Sequence, residues 1–302
     1  MRSLAVPAIL WMVLAQAMFT AMNIFSRLGG RELPWSEVAG ARFLFGAVIT
    51  LVIARVYHSS LRVTDRKNTW LRSIFGTLAS LCFFYSVTSD RIPLGDAITL
   101  GATGPIFVAL LSAPLLGEKV GRHVFVAVLL AFLGVVGVVH PTFQSAADVA
   151  AIATLGALAY ALALMWLRKI GPNESSEAIV LHFSIVAAVA NLAWSIPVWV
   201  TPDRKNLLWL IGTGITGGIG QVAMTKAYAL SRAAPMSVLG YLSIIFTYLL
   251  AIPIFGERAG LLQAAGSSLV ILAGLILAYD AWREQSARRP GVLPVGETVG
   301  KD

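Results

Sequence analysis

The polar side chains that recur at helical spacing in this sequence are hydrogen-bond donors and acceptors rather than nucleophiles. Gln16, Thr20 and Asn23 fall at i, i+4 and i+7, on one helical face. Gly214, Gly217, Gln221, Thr225 and Tyr228 form a second stripe, and Asp96, Thr99 and Thr103 share a third face just ahead of Pro105. Tyr241 and Tyr248 stand seven apart, Ser243 and Thr247 four apart, and Tyr85 and Tyr160 are further aromatic candidates. Groups of this kind bind a polar solute, or bond to one another across a helix bundle, and both readings stand for each stripe. Asp96 also reads as an acid in a first helical turn, suited to the helix dipole. Pro105 removes a donor from its helix and frees a carbonyl for a neighbour or a ligand, which makes it a candidate hinge.

Covalent chemistry has no comparable signature. No Ser–His–Asp set stands out, and the phosphate loop G-x-x-x-x-G-K-[ST] is absent. Gly212 to Gly217 satisfies G-x-G-x-x-G, but inside an apolar run and without the strand that a dinucleotide site needs. The Gly214–Gly218 spacing suits close helix–helix approach instead. His58, His123, His140 and His182 lie too far apart for metal-ligand spacing, and Cys82 is the single cysteine. The expectation is no enzyme, no metal and no cofactor.

The elements that must carry these groups follow from composition. Of 302 residues, 57% are hydrophobic and 13% charged, with mean hydropathy +0.78. Soluble domains carry about 25% charged residues, so the natural solvent is lipid. Apolar segments long enough to cross a bilayer read 5–27, 35–57, 70–89, 94–116, 122–140, 149–167, 177–200, 206–230, 235–255 and 260–282. The fold class expected is therefore an all-α integral membrane protein of ten transmembrane helices. Ala15-Gln16-Ala17 has the form of a signal-peptidase site, but cleavage there would cut the first span in half, so that span is taken as uncleaved. Residues 283–302 read as a polar cytoplasmic tail, disordered by composition.

The net charge of +8 resides in short loops, so it is read as topology rather than as a nucleic-acid surface. On alternate sides the Lys and Arg count is fifteen against six, with Arg72 among the fifteen; this places both termini in the cytoplasm. Arg42 and Lys226 lie within spans: Arg42 could bind an anionic group such as a substrate carboxylate, but a structural pair or snorkelling to the outer interface is the favoured expectation, and Lys226 is expected to snorkel as well.

An internal repeat divides the chain. Pro114-Leu115-Leu116-Gly117-Glu118-Lys119 recurs as Pro253-Ile254-Phe255-Gly256-Glu257-Arg258, 139 residues on. Arg42-Phe43 aligns with His182-Phe183, Gly134 with Gly274, and Arg27 and Gly30 with Arg168 and Gly171, at offsets of 140 or 141. The halves expected are 1–140 and 149–282. Five helices in each is an odd number, so the second half enters from the opposite face and the repeats are inverted.

The P-x-x-G-E-[KR] endings, Arg42-Phe43, Phe84-Tyr85-Ser86 followed by Pro93-Leu94, and Ala227-Tyr228-Ala229-Leu230 followed by Pro235 together resemble the drug/metabolite transporter superfamily, EamA type. The resemblance implies a ten-helix secondary carrier in the inner membrane, with a cavity lined mainly by helices 1, 3, 4, 6, 8 and 9. Amino acids or their derivatives head its substrates, with export ahead of uptake. A channel and a membrane-embedded enzyme are the alternatives. The partners expected are the lipid bilayer and a small-molecule substrate, with a homodimer allowed and no nucleic acid.

Overall fold

The computed structural model describes residues 6–88, 91, 100–118, 120–139, 147–171, 174–243, 245–246, 250 and 261–286. Within them the chain is helical, with no strand. In order the helices are α1 (Val6–Gly29), α2 (Trp35–Val56), α3 (Arg66–Thr88), α4 (Gly104–Leu116), α5 (Arg122–Val139), α6 (Ala147–Ile170), α7 (Ser176–Ser195), α8 (Arg204–Leu230), α9 (Ala233–Leu239) and α10 (Leu261–Ser286); a 3-10 turn, Ile196–Val198, extends α7. Of the described helices, α1, α2, α6, α7 with its extension, and α8 are long and apolar enough to cross a membrane, and α4 and α5 are shorter apolar helices. A hydrocarbon solvent explains the helical content, because each backbone group must find its partner within its own segment.

Local chemistry sets the helix ends. Ser175 caps α7 by accepting from the Ala178 amide at 3.1 Å, and Asp203 caps α8 through the Asn206 amide at 2.7 Å. Gly117 closes α4 in the left-handed conformation (φ 64°), and the Gly117 and Glu118 amides return to Ala113 and Ser112 carbonyls. α10 runs on through Ser286, so the expected tail begins four residues later than the apolar pattern implied.

Most of the contact between helices runs between the two halves of the chain. α1 packs along α8, α3 along α6, α2 along both α7 and α8, and α5 along α10, while helices of one half touch one another far less. One apolar cluster joins Met12 of α1, Leu164 of α6, Tyr228 of α8 and Met236 of α9. A second joins Val128 of α5, Tyr241 and Val270 of α10. The outward surface is apolar too: Leu10, Val48, Val189 and Leu208 are all exposed, as a lipid-facing surface should be.

Glycines set the closest approach. A Cβ on Gly218 would lie 3.0 Å from the Gly46 carbonyl oxygen and 2.2 Å from Ile49 Cγ2, and one on Gly214 would meet Phe45 Cβ at 2.1 Å. The G-x-x-x-G spacing of α8 thus seats α2 against it.

Candidate functional site

Two helices are interrupted, and the interruptions meet. Leu100 and Gly101 are helical, the chain turns at Ala102–Thr103, and α4 starts at Gly104 with Pro105 in its first turn. There proline fits, since the first turn has no use for its missing donor. Upstream, however, the Ala102 carbonyl loses its helical partners: Pro105 has no N–H, and the Ile106 amide is spent on Thr103 O at 2.9 Å. The Tyr241 hydroxyl takes that carbonyl instead, at 2.5 Å. Tyr241 itself lies in the turn at Gly240–Tyr241 that ends α9, before the helix resumes at Leu242. The Thr20 hydroxyl of α1 reaches the same region, donating to the Ser243 carbonyl at 3.2 Å.

One acid ties the ends of four helices together. The left-handed turn at Gly117 carries Glu118 to the start of α9, where its carboxylate accepts from the Ala233 amide at 3.0 Å and so caps that helix. Arg168 at the end of α6 meets Glu118 at 2.9 Å and also donates to the Tyr228 and Ala229 carbonyls at the end of α8. The Gly-Glu pair of the sequence motif is therefore a turn plus a charged cap.

Between α2, α7 and α8 lies a narrow cleft lined by Arg42, Phe43, Gly46, Ser184, Gly217, Gly218 and Gln221. Gly217 makes room for the Arg42 side chain, whose Nε approaches Met22 Sδ at 2.8 Å. Arg42 thus turns inward across α8, which corrects the expectation of a structural pair or an interfacial snorkel. Lys226, in contrast, pairs with Glu177 at 2.9 Å. The Nε2 of Gln221 is buried without a partner. Next to this cleft, Phe43 meets Phe183 edge to face at 5.1 Å. The Arg42 guanidinium lies 4.4 Å from the Phe43 ring centre, and the Arg72 guanidinium 4.0 Å from that of Phe183.

Arg72 is the second correction. Counted from the sequence with the cytoplasmic-side charges, at the start of the 70–89 span, it stands in the second turn of α3 and is only 3% exposed. Removing it from the loop count leaves the sign of that count unchanged. Ser184 is a further cleft residue that spacing did not single out.

The remaining predicted residues divide. Tyr160 lies between α4 and α8, its ring 3.2 Å from where a Gly104 Cβ would be and its hydroxyl 3.7 Å from Met224 Sδ, yet it stays more than a third exposed. Gln16 is buried and donates to Met12 Sδ within its own helix, and Thr225 and Thr103 bond back to Gln221 and Leu100 carbonyls. Tyr228 is enclosed in the apolar core. Asn23 and Tyr85 are exposed and are not brought to the junction or the cleft. Thr99 and Tyr248, with Asp96 and Thr247, lie outside the described residues. Among the described residues no group of three His, Cys, Asp or Glu could hold a metal ion.

Comparison with known proteins adds three results. The EamA-like transporter family matches residues 6–140 and again 149–279. The pseudopaline exporter CntI of Pseudomonas aeruginosa (strain UCBPP-PA14) is 29% identical over 272 residues, covering 89% of this chain and 95% of its own. The S-adenosylmethionine uptake transporter of Rickettsia prowazekii (strain Madrid E) and the riboflavin transporter of Vibrio cholerae are each 23% identical over 285 residues, covering 93% of this chain and 95% of their own. A solved crystal structure superposes with a TM-score of 0.79 over 94% of this chain and all of the other, at 18% identity, so it shares the fold.

Proposed function

The chain belongs to the EamA-like transporter family, and from that premise we propose that it is a secondary transporter exporting a small polar metabolite, an amino acid or a derivative, by alternating access between two inverted five-helix halves. Its relatives are named as transporters, not enzymes, and they include both exporters and uptake proteins. The most similar of those described above is an exporter, which favours outward transport.

The observation that carries the mechanism is the meeting of α4 and α9. Their interruptions, at Ala102–Thr103 and Gly240–Tyr241, fall at repeat-equivalent positions and are bonded to each other. Discontinuous helices meeting at a repeat interface are where carriers of this kind place solute. Pro105 would act as the hinge of the first interruption.

The packing supports the inversion. Exchanging each helix for the one five places on turns the α1–α8 contact into α3–α6 and the α2–α8 contact into α3–α7, and it leaves α2–α7, α4–α9 and α5–α10 as contacts between mates. Phe43 and Phe183, repeat mates, touch at 5.1 Å, as residues beside a two-fold axis would.

The ends agree with a common polarity. The loop after α2 meets the loop after α6 where Glu174 accepts from the Thr64 and Asp65 amides at 2.8 and 2.7 Å and from the Thr64 hydroxyl. Opposite them, Glu32 accepts from Asn206 at 2.7 Å. The charge count assigns the first face to the cytoplasm, with both termini, in an inner-membrane setting.

Counterflow in proteoliposomes loaded with a panel of radiolabelled amino acids and nucleosides tests the proposal. We expect saturable, trans-stimulated flux that falls in Gln221→Ala. Linear, unsaturable flux would instead indicate a channel.

A further inference from the structure

Two cations inside the bundle have no acidic partner among the described residues. Arg168 and Lys226 each have a carboxylate at 2.9 Å, whereas among the described residues no ion pair involves Arg42 or Arg72. Arg72 is 3% exposed, and its Nε and Nη1 have no hydrogen-bond partner. The two guanidinium groups also stand within electrostatic range of each other and of Tyr160. Burying one unpaired charge is costly and placing two like charges together costs more, so packing alone gives no reason to keep them.

Their ring contacts leave donors over: the Arg72 Nε and Nη1 have no partner, and Arg42 gives its Nε to Met22 Sδ while, among the described residues, no hydrogen bond involves its Nη1 or Nη2. Each guanidinium lies over one ring of the Phe43–Phe183 pair. A ring engages the guanidinium through its face, while the N–H donors point outward in its plane. The cleft beside them adds two donors: Gln221, 6% exposed with its Nε2 unpartnered, and the Ser184 hydroxyl. The lining contains no acidic side chain.

We infer that this cleft is an oxyanion site that binds a carboxylate of the transported solute, with Arg42 and Gln221 donating to it directly and Arg72 as the second cation. The inference rests on the carrier reading and narrows its substrate class to carboxylates. Bidentate pairing with a carboxylate supplies the charge and the planar acceptors that the site lacks. The cleft lies beside the contact between repeat mates, and its lining draws on both halves: Arg42 from the first, Ser184 and Gln221 from the second, with Arg72 behind it on the Phe183 ring that meets Phe43.

Binding is read without transport. The purified full-length protein in detergent is melted, with its eight tryptophans as reporters, against sodium L-phenylalanine, L-glutamate and succinate. Controls are L-phenylalaninamide, succinamide, sodium phosphate and sodium chloride at matched ionic strength. We expect at least one carboxylate to raise the melting temperature saturably while its amide does not. Arg42→Gln and Arg72→Gln should each raise the half-saturating concentration at least about tenfold, with Arg72→Lys between Arg72→Gln and the parent. Arg72→Gln should melt no lower than the parent without solute, since it removes an unpaired buried charge; that serves as the folding control.

Equal response to acids and amides, a stronger response to phosphate than to any carboxylate, no carboxylate response at all, or unchanged half-saturation in the arginine variants would overturn the assignment. Counterflow separates the two claims. A carrier that moves amides as well as acids keeps the transport reading and loses this one. Carboxylate binding without counterflow does the reverse.

Discussion

Tyr241→Phe isolates the bond on which the junction of the interrupted helices depends. Tyr241 is 2% exposed and packed in an apolar cluster with Ala102, Val128 and Val270. Phenylalanine fills nearly the same volume, so no cavity term arises. What is lost is the 2.5 Å hydrogen bond to the Ala102 carbonyl. That carbonyl cannot return to its own helix, because Pro105 lacks a donor and the Ile106 amide is committed to Thr103. An acceptor left buried and unsatisfied costs about 1–3 kcal/mol, and a site closed to water should fall in the upper part of that range. Equilibrium unfolding in mixed SDS micelles should therefore show a loss of about 2–3 kcal/mol. Tyr228→Phe, which deletes a buried hydroxyl that makes no hydrogen bond among the described residues, should stay within about 0.5 kcal/mol of the parent. If both variants unfold alike, Tyr241 does not support the Ala102 carbonyl and the junction is held only by packing.

Three other perturbations probe separate parts of the fold. Gly218→Ala should destabilise by about 1–3 kcal/mol in the same assay, since its methyl group would press on Ile49 and the Gly46 carbonyl. Glu118→Ala breaks a mostly buried ion pair and uncaps α9; because Arg168 keeps the Tyr228 and Ala229 carbonyls, the loss should sit near 3 kcal/mol, the low end for such a pair. Arg168→Ala, which among the described residues leaves Glu118 with the Ala233 amide, should cost more. The loop carboxylate Glu174 supplies a pH test: burial pushes it up, but the hydrogen bonds from the Thr64 hydroxyl and the Asp65 and Thr64 amides outweigh this and hold it below the ordinary carboxylate range. A depressed group contributes stability that is complete above its unfolded value and is lost as pH falls through the folded one. Thermal scans from neutral to acid pH should accordingly show a shallower loss in Glu174→Gln than in the parent.

Much of this architecture can be read in the chain itself, and the parts that cannot share a cause. Span limits match to within a few residues where caps such as Asp203 and Ser175 or the glycine at 117 mark them. Pro105 signals a freed carbonyl, though only the three-dimensional structure identifies Tyr241, 139 residues on from Ala102, as its partner. Tyr85 and Tyr228 illustrate the limit. In lipid the outward face of a helix is as apolar as its inward face, so periodicity does not say which way an aromatic points; one is exposed and the other enclosed. Arg72 follows Arg66 and Lys67 closely enough to resemble an interfacial run. Its burial depends on Phe183 from the other half and on Gly76, whose missing side chain leaves room for the guanidinium. Arg42 turns inward for a similar reason, since Gly217 opens the path across α8.

Side-specific labelling of the cleft tests alternating access most directly. A cysteine placed at Ser184, in a Cys82→Ser background that removes the other thiol, is exposed to a membrane-impermeant maleimide in right-side-out and inverted vesicles. The account predicts labelling from one face at a time, with the reactive face changing when a transported amino acid is added. Labelling from both faces at once, indifferent to solute, would contradict it.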